Sequence, residues 1–347
     1  MAGITLAGLD VGNGGIKTKT VHNTDFFPHA LFKMTRTQIE DYESGTTDEN
    51  VYIVNGEYFS IGALATRQGS GAVLYGEKRY VPHYYGVLGA IGLFRTLPKD
   101  GRRYKLCVAA THTPKDRIYR EDLTDAIKRE WTVKWQHETL KFSVDKVLCM
   151  PEPVAHYRHA TLLDGGIAPR SSMDMLRVGT CSVIDIGNFT TGFAAADGGI
   201  VDYTAGKSED RGVQDSVDDL AAALRSNYRQ QLKGANFLDQ QKLREALITG
   251  AFDARGRGIL QCPRERDEAC NLILSDVSMF FDNYGGATAF DTVLIAGGGG
   301  ALLWDKLKYT LNHPNMYTSD RDHGMMMYGA ALGAYKTLQA LEAKGKL

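Results

Sequence analysis

One short pattern occurs twice in the chain and constrains the fold more than any other feature. Residues 8–21 read GLDVGNGGIKTKTV, and residues 183–196 read VIDIGNFTTGFAAA. Each copy consists of an apolar run, an aspartate, an apolar residue, Gly-Asn, small residues and a second apolar run. The aspartates, Asp10 and Asp185, are 175 positions apart in a chain of 347 residues, so the second copy opens the second half. The repeat predicts two related halves.

Each copy of the pattern predicts a β-hairpin, because apolar and β-branched runs flank a turn rich in glycine and asparagine. The first hairpin has its tip at residues 13–15, and the second spans residues 181–196. A smaller hairpin is predicted around Asn55-Gly56, where the sequence reads NVYIVNGEYFSIG. That turn implies no chemistry.

Helical periodicity alternates with these strands. Helices are predicted over 120–131 (REDLTDAIKREW), 213–233, 239–250, 265–284 and the C-terminal segment, and 291–311 is predicted as a strand, a glycine turn and a helix. Hairpins followed by alternating helices and strands are typical of an α/β fold of two related lobes.

Composition excludes several classes of protein. The chain is 43% hydrophobic and 23% charged with a formal net charge of −1, so no broad basic surface indicates direct nucleic-acid binding. No apolar run reaches the length of a membrane span, and no membrane partner is expected. The five cysteines are scattered and form no C-x-x-C pair, which favours neither zinc nor redox chemistry. We expect a cytoplasmic protein.

The two hairpin turns suggest phosphate binding, since successive backbone N–H groups of a glycine-rich turn form a concavity for anionic oxygens. Asp10 and Asp185 would then lie near phosphates, which requires a cation such as Mg²⁺ between them. Lys17 lies on the returning strand, within reach of a phosphate. Either turn taken alone is better explained as an ordinary hairpin carrying a surface aspartate, and only the matched pair favours phosphate binding.

Two further stretches suit such a site. IAGGGGALL, residues 295–303, places four glycines between a strand and a helix start, where an anion is favoured. MPEPVAH, residues 150–156, holds Glu152 between two prolines at the head of a helix, which suits a carboxylate that orients an attacking water. The alternative for residues 295–303 is a tight strand–helix turn that binds nothing. The alternative for Glu152 is a helix-terminal acid that the helix dipole stabilises.

Together these motifs resemble the actin-like ATPase superfamily, and within it the bacterial plasmid-segregation actins of the ParM/StbA group. LDVGNGGIK and VIDIGNFTTGF resemble the two phosphate motifs, VLCMPEPVAH and MMMYGAALGAY the two connecting motifs, and VLIAGGGGALL the adenosine motif. The resemblance implies two lobes with ribonuclease H-like βββαβαβα cores and a nucleotide cleft between them. Lobe I would span residues 1–165 with a returning helix at about 326–347, and lobe II residues 166–325.

The resemblance also assigns roles to residues at matching positions. Catalysis would rest on Glu152, which positions the water, with Asp185 and Asp10, which hold a hydrated Mg²⁺. The β- and γ-phosphates would be bound by Gly12, Asn13, Gly14, Gly15, Lys17, Gly187, Asn188, Thr190 and Thr191. The α-phosphate and sugar would lie on Gly297, Gly298 and Gly299, with Gly212 near the nucleoside. The nucleotide would be ATP or GTP.

The function implied is an ATPase that polymerises into filaments and segregates plasmid DNA through an adaptor protein bound at a partition site. The alternative is a small-molecule kinase of the sugar-kinase type from the same superfamily. Residues 35–74 match no family pattern, which leaves the geometry of assembly open.

Overall fold

The computed structural model describes residues 4–12, 14–45, 50–62, 65, 73–74, 81–163, 175–233, 238–254, 258–320 and 323–347. The chain divides into two compact units. Unit 1 comprises residues 1–174 and 328–347, and unit 2 comprises residues 175–327.

The strands of the described residues are β1 (Thr5–Gly12), β2 (Gly15–Thr20), β3 (Thr24–Phe27), β4 (Ala30–Lys33), β5 (Val51–Val54), β6 (Glu57–Ile61), β7 (Val73–Leu74), β8 (Tyr104–His112), β9 (Glu130–Trp135), β10 (Glu138–Pro151), β11 (Thr180–Ile186), β12 (Thr191–Asp197), β13 (Ile200–Glu209), β14 (Ala251–Asp253), β15 (Ile259–Gln261), β16 (Thr292–Ala296) and β17 (Met316–Thr318).

The α-helices of the described residues are α1 (Arg36–Glu43), α2 (Pro82–Thr96), α3 (Arg120–Ile127), α4 (Glu152–Thr161), α5 (Met175–Val178), α6 (Val213–Asn227), α7 (Gln240–Thr249), α8 (Pro263–Asp282), α9 (Gly297–Leu302), α10 (Trp304–Leu311) and α11 (Gly329–Ala343). Short 3₁₀ segments occur at Pro114–Tyr119, Ala287–Ala289 and His323–Tyr328.

Each unit is built on the same five-strand arrangement. In unit 1 the order β3-β2-β1-β8-β10 continues through β9-β5-β6-β4-β7 to make ten strands, and in unit 2 the order is β13-β12-β11-β16-β17. Strand β1 pairs antiparallel with β2 and parallel with β8, and β11 in the same way pairs antiparallel with β12 and parallel with β16. The predicted relation between the two halves therefore extends to strand order.

The two repeated hairpins also share one register. Asp10 pairs with Lys17, and Asp185 pairs with Gly192, so the partner is seven residues away in both copies. Gly12 pairs with Gly15 in the first hairpin, and the Gly187 N–H donates to the Thr190 carbonyl in the second, so two residues separate the paired positions in both copies. Loops of two residues fix the pairing of the flanking strands.

The sheet of unit 1 is covered by helices at close range. Helix α2 packs against β1 and β2, where Gly92 approaches Thr18, and it contributes to the main core of this unit. Helix α11 packs against β1 and α4, where a Cβ on Gly333 would overlap the Ala155 carbonyl and one on Gly8 the Ala331 carbonyl. Gly333 of the MMMYGAALGAY motif thus serves helix packing.

Two predicted helices are shorter than expected. The helix predicted over 120–131 ends at Ile127, because Trp131 is buried in β9 opposite Phe142. The helix predicted over 213–233 ends at Asn227, and the chain continues in hydrogen-bonded turns that bring Leu232 into the core of unit 2. The hairpin predicted around Asn55-Gly56 is confirmed as β5–β6.

Among the helices of the described ranges, none is both long enough and apolar enough to span a bilayer.

Candidate functional site

In unit 1 the predicted site residues lie at the carboxyl ends of the parallel strands β1, β8 and β10. Asp10 is only 3% exposed, and its carboxylate is bonded on both oxygens. Lys17 Nζ lies 2.9 Å from Asp10 Oδ2, and the Thr111 hydroxyl donates to Asp10 Oδ1 over 2.9 Å. Ligands bind at this edge of open α/β sheets, so Asp10 is a fixed charge at the expected place.

The first hairpin loop lies directly beyond this ion pair. A Cβ on Gly12 would lie 2.9 Å from Lys17 Nζ and 3.3 Å from Asp10 Oδ1, so the glycine leaves the lysine room beside the carboxylate. Gly14 is exposed at the tip, and Gly15 is buried against the Phe26 ring. Asn13, predicted to bind phosphate, lies outside the described residues.

Glu152 is the first residue of α4 and follows directly from β10. Pro151, the last residue of β10, pairs with His112 at the end of β8, the strand that lies beside β1. Glu152 is half-exposed. A carboxylate at this position is favoured by the helix dipole and is available to solvent.

His156 lies one turn after Glu152 on α4 and was missed by the sequence analysis as a candidate. It is 2% exposed, and burial lowers its pKa from 6.5 to about 3, with Asp10 raising and Lys17 lowering that value. The imidazole is therefore neutral at physiological pH. The spacing E-x-x-x-H was the signal in the sequence, since residues i and i+4 share one face of a helix.

In unit 2 the equivalent aspartate is Asp185, and it packs against the first glycine of the run at residues 297–300. Asp185 is 6% exposed and pairs with Ala296 of the parallel strand β16. Gly297 follows with a φ of +76°, and a Cβ there would overlap Asp185 Oδ1 and lie 2.5 Å from the Ile186 carbonyl oxygen. A positive φ and close backbone approach together require glycine at this position.

The four glycines form a helix rather than a turn before one. Helix α9 begins at Gly297, so the predicted strand, glycine turn and helix become a strand followed immediately by a helix. Gly299 is buried, and a Cβ there would lie 2.5 Å from Ile186 Cγ2 and 2.6 Å from Val213 Cγ2. Gly298 is exposed, and a Cβ added to it would have Met327 Cβ, at 3.6 Å, as its nearest neighbour.

The second hairpin loop is docked on the start of α6. The Val213 N–H donates to the Gly187 carbonyl over 3.1 Å, and the Gln214 N–H donates to the Asn188 carbonyl over 2.8 Å. A Cβ on Gly212 would lie 2.5 Å from the carbonyl carbon of Asn188. These bonds use the first N–H groups of α6, so its N-terminus orders the loop.

The threonines of this hairpin are buried, and one of them is tied to the same segment. The Thr191 hydroxyl donates to the Arg211 carbonyl over 2.8 Å, while Thr190 is 9% exposed. Unit 2 therefore brings together Asp185, residues 187–191 of the second hairpin, Gly212 and the start of α9.

Arg244 of α7 was also missed by the sequence analysis. Its Nη2 donates to Asn188 Oδ1 over 2.9 Å and to Gln214 Oε1 over 2.7 Å. An arginine in the middle of an amphipathic helix carries no local signal of such a contact.

The acidic residues suit a hydrated Mg²⁺ better than a metal bound by protein ligands alone. Within the described residues, no three His, Cys, Asp or Glu side chains cluster as a metal site. Mg²⁺ is usually held by one or two carboxylates together with phosphates and water. The nearly buried carboxylates of Asp10 and Asp185 are hard oxygen donors of this kind.

Both the sequence and the fold are similar to those of actin-like proteins. Residues 8–154 match the family model of the N-terminal domain of actin-like proteins. No curated protein sequence matches the chain.

Solved structures of actin homologues match it over nearly the whole length. An archaeal actin homologue in complex with ADP is 15% identical, with a TM-score of 0.72 and coverage of 97% of this chain and 99% of that chain. ParM from a 15-stranded filament of Clostridium botulinum is 17% identical, with a TM-score of 0.70 and coverage of 97% and 99%. Bacillus thuringiensis ParM with ATP is 15% identical, with a TM-score of 0.68 and coverage of 98% and 99%. At these identities the likeness establishes the fold, and it confirms the expected α/β actin-like architecture.

Proposed function

We propose that this protein binds and hydrolyses ATP and polymerises into filaments. The observation that carries the proposal is the repeated hairpin, in which a nearly buried aspartate precedes a two-residue loop in the same register in both units. A hairpin alone is a common structural element. Two copies, each at the carboxyl ends of parallel strands in a mixed sheet, suit the binding of nucleotide phosphates.

The residues of unit 1 would act through charge and position. Lys17 would supply a positive charge to the phosphates, while Thr111 keeps the Asp10 carboxylate in place. Glu152, half-exposed at the head of α4, would accept a hydrogen bond from the attacking water and orient it. Asp10 and Asp185 would hold Mg²⁺ through water, and the ion would neutralise charge on the phosphates.

The residues of unit 2 would hold the remainder of the nucleotide. Gly298 is the exposed glycine at the start of α9, where a phosphate or a sugar would lie directly on the backbone. Asn188 and Thr190 would bind phosphate from the second hairpin, whereas the Gly187 N–H, which the sequence analysis assigned to phosphate, already donates to the Thr190 carbonyl. GTP remains an alternative nucleotide, since backbone contacts discriminate poorly between bases.

Assembly is supported by the relatives of the same fold. One of them is ParM in a 15-stranded filament. Head-to-tail contacts that do not close would give this chain an open filament. We propose plasmid DNA segregation as its purpose, through an adaptor protein at a partition site.

The test measures light scattering and phosphate release together after Mg-ATP or Mg-GTP is added to the purified protein. Scattering should rise with nucleotide and decay as phosphate appears. Glu152→Ala should assemble without decay and release phosphate about a hundredfold more slowly, the lower end of what a positioned catalytic acid or base contributes. Glu121→Ala, an exposed acid in the first turn of α3, is the matched control and should behave like the wild type.

Two outcomes would contradict the proposal. Phosphate release unchanged by Glu152→Ala would remove the assigned role of that carboxylate. ATP consumption that requires an added metabolite, with no scattering at any protein concentration, would indicate the small-molecule kinase instead.

A further inference from the structure

The amide of Asn188 is fixed by a partner on another helix. Asn188 is one of the two residues of the second hairpin loop, and its Oδ1 accepts a hydrogen bond from Arg244 Nη2 over 2.9 Å. A guanidinium has N–H donors and no acceptor, so it bonds the oxygen of a carboxamide and not the nitrogen. The Asn188 oxygen therefore faces Arg244, and its NH₂ group lies on the other branch of the amide.

The guanidinium is itself held in place by a third side chain. Arg244 Nη2 also donates to Gln214 Oε1 over 2.7 Å, so both hydrogens of this nitrogen are engaged. Gln214 is fixed in turn, because its Nε2 donates to Asp218 over 3.0 Å and to Gln240 over 3.1 Å. A chain of hydrogen bonds thus runs from Gln214 of α6 through Arg244 of α7 to Asn188 in the loop.

The main chain of the second hairpin loop is fixed by α6. The Asn188 carbonyl accepts a hydrogen bond from the Gln214 N–H over 2.8 Å. Gly212 packs so closely against the Asn188 backbone that a side chain at position 212 would not fit. The backbone and the side chain of Asn188 are therefore both tied to Gln214, the side chain through Arg244. Preorganised donors of this kind stabilise charge without rearrangement.

On the basis of the nucleotide function proposed above, we propose that Arg244 is a positioning residue, which holds the Asn188 amide with its NH₂ group as a donor for a phosphate oxygen. Arg244 acts through Asn188 and needs no contact with the nucleotide. Loss of Arg244 would then weaken the binding of the phosphates and leave the binding of the nucleoside unchanged.

The experiment compares the affinities of ATP and adenosine by isothermal titration of the full-length protein in Mg²⁺. In Arg244→Met we expect ATP to bind about tenfold more weakly, the effect of one lost hydrogen bond to a charged group, while adenosine binds as in the wild type. Arg244→Lys should recover part of the ATP affinity, since an ammonium also donates to both oxygens. Arg225→Met, at an exposed position on α6, is the matched control.

A second variant tests the route through Asn188. Asn188→Ala should weaken ATP binding by a similar factor, and adding Arg244→Met to it should cause no further loss. Independent, multiplicative losses would overturn the proposal, and so would equal weakening of ATP and adenosine by Arg244→Met. Unchanged ATP affinity in Arg244→Met would overturn it while leaving the nucleotide function intact. Failure of the wild type to bind ATP would overturn both.

Discussion

Lys17 Nζ lies 2.9 Å from Asp10 Oδ2 across the first hairpin, and both side chains are largely buried. The Thr111 hydroxyl donates to the other carboxylate oxygen, so Asp10 is paired with a cation on one oxygen and hydrogen-bonded on the other. Burying a carboxylate is unfavourable unless it is paired and hydrogen-bonded. The pair therefore makes a buried aspartate tolerable at the edge where a phosphate is expected.

Removing the lysine should leave that carboxylate without its cation. We expect Lys17→Met to lower the free energy of unfolding by about 3 kcal/mol, the cost of breaking a buried pair from one side. Asp10→Asn combined with Lys17→Met should recover part of the loss. Urea unfolding measures both, with Lys134→Met on the exposed side of β9 as the control. A double variant less stable than Lys17→Met would contradict this account.

Gly297 and Gly298 are adjacent, yet alanine should affect them in opposite ways. Gly297→Ala places a Cβ against the Asp185 carboxylate at a φ of +76°, so it should destabilise unit 2 and displace that side chain. Gly298→Ala has room and should retain or raise stability, by up to about 1 kcal/mol from helix propensity. Thermal unfolding of the nucleotide-free protein distinguishes the two.

ATP titration then tests what Gly298 does. If the exposed backbone of Gly298 carries the nucleotide, Gly298→Ala should weaken ATP binding in a protein that remains fully folded. Undiminished affinity would place the α-phosphate and sugar elsewhere.

His156 should make the nucleotide-free protein lose stability in acid. Its pKa is about 3 in the folded protein and 6.5 when unperturbed, because burial opposes the charged form. Between these values the unfolded chain binds a proton that the folded chain does not, so stability is lost as the pH falls below 6.5. The contribution is about 1.4 kcal/mol per pH unit. Denaturant unfolding from pH 7 to pH 4 should show a shallower loss in His156→Leu, and equal slopes would refute the assignment.

The contact between α4 and α11 should depend on the absence of a side chain at Gly333. A Cβ on Gly333 would overlap the Ala155 carbonyl, and the obstructing atom is backbone, which cannot rotate away. We expect Gly333→Ala to lower the melting temperature by several degrees, as overpacking costs about 1–3 kcal/mol. Glu342→Ala at the exposed end of α11 is the control. A melting temperature equal to that of the control would show that the two helices have room to separate.

The sequence by itself determined the elements whose information is local. The hairpins at residues 8–21 and 183–196 were predictable because their strand content and their turn residues lie within about a dozen neighbouring residues. The actin-like fold was predicted from the resemblance of five motifs, two of them hairpins, that occur in the family's order along the chain. The ends of α3 and α6 did not follow, since helical periodicity continues past the point where Trp131 and Leu232 enter a core built from distant segments.

Only the tertiary structure decided which side chains fix the candidate site. Thr111 bonds Asp10 from 101 residues away, and Arg244 bonds Asn188 from 56 residues away. Position 297 requires glycine because the Asp185 carboxylate and the Ile186 carbonyl leave no space for a side chain. Hydrogen bonds and close contacts of this kind depend on which strands and helices become neighbours, and chain folding determines this over distances that local patterns do not encode.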